Sequence, residues 1–91
     1  MEDPNTPSDR IRRFIMEKFP VARKRGIRET DNLLENGIVD SLGVLELVEF
    51  MEREFALNVS DDELTKENFQ NVQRIAAFVE LKARTQQGGQ A

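Results

Sequence analysis

Between Ser41 and Phe55 the apolar residues Val44, Leu47, Val48, Met51 and Phe55 recur at helical spacing, which sets them on one stripe of an α-helix. A pleated strand changes face at every residue and cannot use that spacing. The same period returns twice. Ile11, Phe14, Ile15 and Phe19 follow it near the start of the chain, and Val72, Ile75, Ala76 and Val79, with Phe78 at the edge, follow it near the end. There is no β-type alternation and no internal repeat. Such stripes are buried most simply against one another, so the expected fold is all-α: a small antiparallel bundle of three main helices plus one short helix.

The boundaries follow from capping chemistry. Thr6 reads as the cap of the first helix with Pro7 at its first position, and Pro20 prevents clean continuation past Phe19. Ser60-Asp61-Asp62-Glu63 fits a capping box that opens a short helical turn around Leu64. Asn71 caps the last helix, which is expected to end near Lys82 to Arg84. Residues 20 to 40 show no sustained period and form a long loop, pinned to the core by Leu33, Leu34 and Ile38. Phe50 lies off the main stripe of its helix; packing on the short helix is one option, and the sequence does not place it. One domain over residues 6–84 is expected, with residues 1–5 and 85–91 as mobile ends that have nothing to bury.

Charge narrows the function. The net charge of −4 conceals a split, with eight Arg or Lys against one acid in residues 10–28 and twelve acids against two bases in residues 29–67. The acidic half argues against nucleic acid, which is held by a broad cationic face. Arg23, Lys24, Arg25 and Arg28 read either as a solvated loop, the commoner reading of such a run, or as a small basic docking patch. The start of the chain lacks the pattern of a signal peptide and no stretch is apolar enough to span a bilayer, so a soluble cytoplasmic monomer is expected. The chain has no Cys and no His, which removes the thiol nucleophile, the usual metal ligand and the usual general base. No catalytic or metal-ligating residue is expected.

Ser41 is the candidate functional residue. It stands in Gly37-Ile38-Val39-Asp40-Ser41-Leu42, where a glycine-punctuated loop enters the acidic helix. A hydroxyl in the first helical turn lies beside N–H groups without intrahelical partners and at the positive end of the helix dipole, both favourable to an attached phosphate. Asp and Ser are also preferred N-cap residues, so a purely structural role competes with this reading. A serine hydrolase would need a base and a Gly-x-Ser-x-Gly elbow, and neither is present. On the outer face of the same helix, Glu46, Glu49 and Glu52 stand with Leu42 and Leu45 beside them. An acidic face studded with leucines suits a basic partner.

Asp40-Ser41-Leu42, then Leu45-Glu46-Leu47-Val48, Glu52-Arg53-Glu54-Phe55, Val59 with Asp61-Asp62-Glu63, and Glu67-Asn68-Phe69 before Val72 and Ile75 together resemble the carrier proteins of fatty acid, polyketide and nonribosomal peptide synthesis. The resemblance is to the acyl carrier type and spans roughly residues 8–83. It implies that Ser41 receives phosphopantetheine from coenzyme A and that the arm's thiol holds an acyl cargo as a thioester. Asp40, Leu42, Leu45, Glu46 and Glu52, with Glu49 beside them, become the surface read by partner enzymes. Those partners would be a phosphopantetheinyl transferase, an acyl or aminoacyl ligase, and downstream synthase enzymes.

Two positions depart from the family pattern: Gly43 replaces a frequent acid, and Arg53 interrupts the acidic run. Gly43 forgoes about 1 kcal/mol of helix propensity relative to Ala; it either leaves room for the arm or an enzyme loop or is a neutral substitution, and the two readings stand equal. Within that resemblance, Asp40 before the serine points to an acyl cargo, and the long Arg/Lys-bearing loop and Glu67-Asn68-Phe69 look like a standalone carrier of a specialised pathway. A standalone aminoacyl carrier and an unmodified interaction module of the same fold stay open.

Overall fold

The computed structural model describes the backbone of residues 6–89 and the side chains of residues 6–84. Five α-helices follow one another, α1 (Pro7–Lys18), α2 (Pro20–Arg25), α3 (Ser41–Phe55), α4 (Lys66–Phe69) and α5 (Val72–Gly89), with a 3₁₀ turn at Asp61–Glu63 before α4. Among the described residues there is no strand. The expected stripes meet in a single core. Ile11 and Ile15 of α1, Leu47 and Met51 of α3, and Val72, Ile75 and Val79 of α5 are all at most 2% exposed.

The caps explain where the helices begin. The Asp9 N–H donates to Thr6 Oγ1 at 3.3 Å, with Pro7 at the start of α1, as the sequence predicts. The Arg74 N–H donates to Asn71 Oδ1 at 2.7 Å and opens α5. Beyond Arg84 the backbone of α5 stays helical through Gly89, past the expected end. Thr85, Gln86 and Gln87 do not break a helix, and the first poor helix formers are Gly88 and Gly89. Residues 1–5 of the expected mobile ends, and residues 90–91, lie outside the described residues.

The segment expected as one long loop from residue 20 holds a helix of its own. Phe19 precedes a proline and is extended at φ −110°, ψ 118°, which separates α1 from α2, and Pro20 then serves as the first residue of α2. Arg23, Lys24 and Arg25 complete its last turn, where cations suit the negative end of the dipole, and Gly26 at φ 72° ends it. The loop proper is therefore residues 26–40.

That loop is tied down by backbone and side chain together. The Leu33 N–H donates to the Gln70 carbonyl at 2.8 Å, and the Gln73 N–H to the Glu29 carbonyl at 3.0 Å, so the loop lies along the α4–α5 junction. Leu33 and Ile38 are buried as predicted and Val39 joins them, whereas Leu34 is half-buried. Phe50 packs toward α1. Its ring stacks on Phe14 of α1 with centroids 4.2 Å apart and meets Phe55 edge-on at 6.1 Å. At the same seam Arg10 sits 5.5 Å over the Phe55 ring and pairs with Glu54 at 2.9 Å, joining α1 to α3.

The capping-box glutamate does two tasks. The Ser60 N–H donates to Glu63 Oε1 at 2.9 Å, and Lys82 Nζ pairs with Glu63 Oε2 at 3.1 Å, linking the 3₁₀ turn to α5. The Glu63 carboxyl is held below its ordinary value, above all by the Ser60 N–H; desolvation opposes this, and the Lys82 ammonium and the Ser60 hydroxyl add to the lowering. A carboxyl lowered in this way stabilises the fold above its unfolded pKa, and the contribution is lost as pH falls through the lowered value. Glu63→Gln should therefore destabilise by at most about 1 kcal/mol at neutral pH, since the pair is partly solvated. Urea denaturation should show the difference shrinking as pH falls below the ordinary carboxylate range and through the lowered pKa.

Candidate functional site

The loop delivers Ser41 through a tight backbone turn. The Leu33 carbonyl accepts the N–H groups of both Ile38 and Val39, at 3.0 and 3.1 Å, and Gly37 takes φ 69°, a left-handed conformation that suits glycine. Ile38 and Val39 are buried, so the chain reaches Asp40 already anchored. Asp40 is extended and Oδ1 accepts the Gly43 N–H at 2.7 Å, while its carbonyl accepts the Val44 N–H at 2.9 Å. Asp40 is thus the N-cap, and Ser41 is the first residue of α3 with an exposed side chain.

The division of labour at this pair bears on the competing structural reading. A serine kept for capping would sit where Asp40 sits and would bond to the N–H two or three residues on. Ser41 instead stands at the lip of an open groove of about 910 Å³. The groove is lined by Val44 and Leu45 of α3, Leu34 of the loop, and Leu64, Lys66 and Phe69 around α4. It runs from an exposed hydroxyl past these apolar side chains and the polar Asn32, Glu35, Thr65, Glu67 and Gln70, a mixed lining that suits a long, thin group with polar amides along its length. Leu34, Leu64 and Phe69 were not legible as site residues. Their one sequence signal is that each is apolar beside a polar cap or turn.

The other predicted residues share one side of α3 but differ in availability. Leu42 is 67% exposed and Leu45 52% exposed, and Glu49 is exposed. Glu46 is half-buried. Glu52 is half-buried and its Oε2 accepts the Val59 N–H at 2.8 Å, so this carboxylate secures the chain after α3.

A family model described as the phosphopantetheine attachment site matches residues 9–79. A curated relative, the probable acyl carrier protein PigG of Serratia sp. (strain ATCC 39006), is 36% identical over 78 residues, covering 85% of this chain and 90% of its own. The chain belongs to the acyl carrier protein family. The acyl carrier protein of Buchnera aphidicola subsp. Acyrthosiphon pisum (strain Tuc7) is 31% identical over 74 residues, covering 81% of this chain and 89% of its own. In the crystal structure of an FAD-dependent dehydrogenase, one chain matches with a TM-score of 0.62 and 25% identity, covering 78% of this carrier and 94% of that chain. The prosthetic group of this carrier is phosphopantetheine, and its task is to tether acyl intermediates. Proteins of this family are in general carriers and not catalysts.

Gly43 of the carrier does not leave room for an arm or an enzyme loop. It is buried, and a Cβ there would stand 2.7 Å from Phe19 Cε1 and 3.0 Å from Val39 Cγ1. The missing side chain lets the Phe19 ring close under the first turn of α3. Adding a methyl group should cost about 1–3 kcal/mol of overpacking, more than the helix propensity of about 1 kcal/mol that alanine returns. Gly43→Ala should accordingly lower the melting temperature. In a Phe19→Leu background the same substitution should cost less, because the closest contact is relieved while Val39 Cγ1 stays near.

Proposed function

We propose that Ser41 Oγ is the attachment atom for phosphopantetheine and that the exposed side of α3 is the surface that partner enzymes read. The observation that carries this is the division between Asp40, which caps α3 through the Gly43 N–H, and Ser41, which is exposed beside the groove. The residues fit the group. Ser41 Oγ forms the new P–O bond, the adenosine bisphosphate half of coenzyme A leaves, and the hydroxyl proton is given up. With no His in the chain and Asp40 engaged as a cap, the base that takes this proton belongs to the phosphopantetheinyl transferase. The phosphodiester charge then sits at the N-terminal end of a 15-residue helix, where the dipole and the first-turn N–H groups favour an anion.

When bound, phosphopantetheine supplies the thiol that holds the cargo as a thioester. Everything else is presentation. Leu42 and Leu45 offer apolar contact next to Ser41, and Asp40, Glu46 and Glu49 supply negative charge that steers basic enzyme surfaces; Glu52 contributes charge from a fixed position. The partners are the transferase, an acyl or aminoacyl ligase, and synthase enzymes. The chain is not itself a catalyst, residues 6–84 form the carrier domain, and it works as a monomer in the cytoplasm. An acyl cargo is favoured by Asp40 before the serine.

The structural likeness favours one further partner class. Because the match covers 94% of the chain found in the dehydrogenase structure, that chain is about as short as this carrier, too small to hold a dinucleotide-binding domain of its own. An enzyme that oxidises the tethered cargo with a flavin is therefore a reasonable partner. The attachment itself is tested by mass spectrometry of the carrier incubated with coenzyme A, magnesium and a promiscuous transferase. A single arm-sized addition on Ser41 is expected; no addition, or an addition on another residue, overturns the assignment.

A further inference from the structure

We propose that the elbow formed by α1 and α2 is a second docking surface, of opposite charge to α3, for an acidic segment of a partner protein. Its basis is an open cleft of about 630 Å³ lined by Asp9, Arg12, Arg13, Met16, Glu17 and Arg23. The three arginines are exposed, and none of the lining residues belongs to α3. The carrier can be held here while Ser41 and the α3 face remain accessible.

The arginines are set in place by the fold. Arg12 Nε donates to the Ile27 carbonyl at 3.0 Å and Arg23 Nη2 donates to the Glu17 carbonyl at 3.2 Å. Each guanidinium commits one donor to the backbone and keeps further donors of a planar fork that matches carboxylates. An Arg held in this way loses less freedom when it binds than one on a mobile loop, which distinguishes the patch from a merely solvated charge run. Lys24 and Arg25 extend the positive field along α2, and residues 10–28 hold eight bases against one acid. That field complements an acidic partner.

The lining also selects the kind of acidic partner. Asp9 and Glu17 interrupt the arginines, so a ligand of uniform closely spaced phosphates meets repulsion at two points. A protein segment whose carboxylates are spaced apart, with an apolar side chain between them, places carboxylates on Arg12 and Arg23 and its apolar group on half-buried Met16. This occupant matches the mixed lining best.

The test is a titration of the ¹⁵N-labelled full chain with a synthetic peptide of repeating Glu-Glu-Leu triplets, followed by amide NMR. Lys-Lys-Leu triplets, a single-stranded oligothymidylate and vesicles of phosphatidylglycerol with phosphatidylcholine serve as comparisons. Saturable shifts at Arg12, Arg13, Met16 and Arg23, with residues 41–55 unmoved, are expected. Added salt should weaken the binding, and Arg12→Glu with Arg23→Glu should weaken it about tenfold or more. The wild-type map stands even if the double variant folds poorly, and unchanged amide positions in α3 and α5 check its fold. Transferase loading of Ser41 should be unaltered in that variant, which separates this proposal from the attachment site.

Absence of saturable binding, shifts centred on α3, or equal binding of the lysine peptide overturns the proposal. Tighter occupation of the same residues by the oligonucleotide or the vesicles also overturns it, in favour of a phosphate-bearing partner. So does concentration-dependent self-association mapping to both α3 and the elbow, which would make the occupant a second copy of the carrier.

Discussion

Ser41→Ala should take up no phosphopantetheine at all, yet unfold at the same urea concentration as the wild type. Both halves follow from the geometry. The side chain is exposed at the first position of α3, so its removal creates no cavity and exposes no apolar surface. The cap stays intact, because the Gly43 N–H is held by Asp40 Oδ1 at 2.7 Å and alanine is a good helix former. What disappears is the only atom proposed to accept the phosphoryl group. Mass spectrometry after transferase treatment and urea denaturation on the same samples check the two halves together. An undiminished adduct would reject Ser41 as the attachment residue, and a large stability loss would show that it had been a structural residue.

Asp40→Ala supplies the contrast. It removes the cap and should cost about 1 kcal/mol while leaving the hydroxyl in place. Loading should fall only as far as the first turn frays. The two adjacent residues therefore separate stability from chemistry, a distinction that the sequence Asp-Ser could not make, since either residue is a good cap.

What the sequence revealed depended on how far each signal extends along the chain. The stripes of α1, α3 and α5 repeat over several turns, and their inner residues are buried where the period puts them. The six-residue α2 has only Val21 and Ala22 as apolar residues, too few for a period, and the proline that ends α1 also begins α2. Gly43 lies four residues before Leu47 and eight before Met51, on the buried line of α3, which rules out a role in making room for an arm or an enzyme loop. Its reason, the Phe19 ring packed beneath it, comes from a residue far back in the chain. Glu52 was read as surface charge because its acceptor role depends on the path of the backbone to Val59, which no local pattern encodes. The groove beside Ser41 was illegible for the same reason: its walls come from α3, the loop and α4, and only the fold brings them together.

Leu33→Ala should be among the most destabilising single truncations of the loop, by about 2–5 kcal/mol, or a fall of roughly 10–40 °C in melting temperature for a domain this small. Leu33 is 0% exposed although it belongs to no helix. Alanine keeps its N–H bond to Gln70 and its carbonyl bonds to Ile38 and Val39, so the loss comes from the buried side chain and the cavity it leaves. A small domain has a total stability of only about 5–15 kcal/mol, so the change removes a large share of it. Leu34→Ala, next along the chain but half-buried, should cost much less. The damage from Leu33→Ala should also reach the site. The turn that leads to Asp40 closes on the Leu33 carbonyl, and hydrogen exchange should therefore quicken at Ile38 and Val39 more than at Ile11 or Ile15. Equal loss for both leucines, or uniform exchange across the chain, would mean that the loop is carried by the bundle. The expected difference would mean that Leu33 holds the platform on which Ser41 is presented.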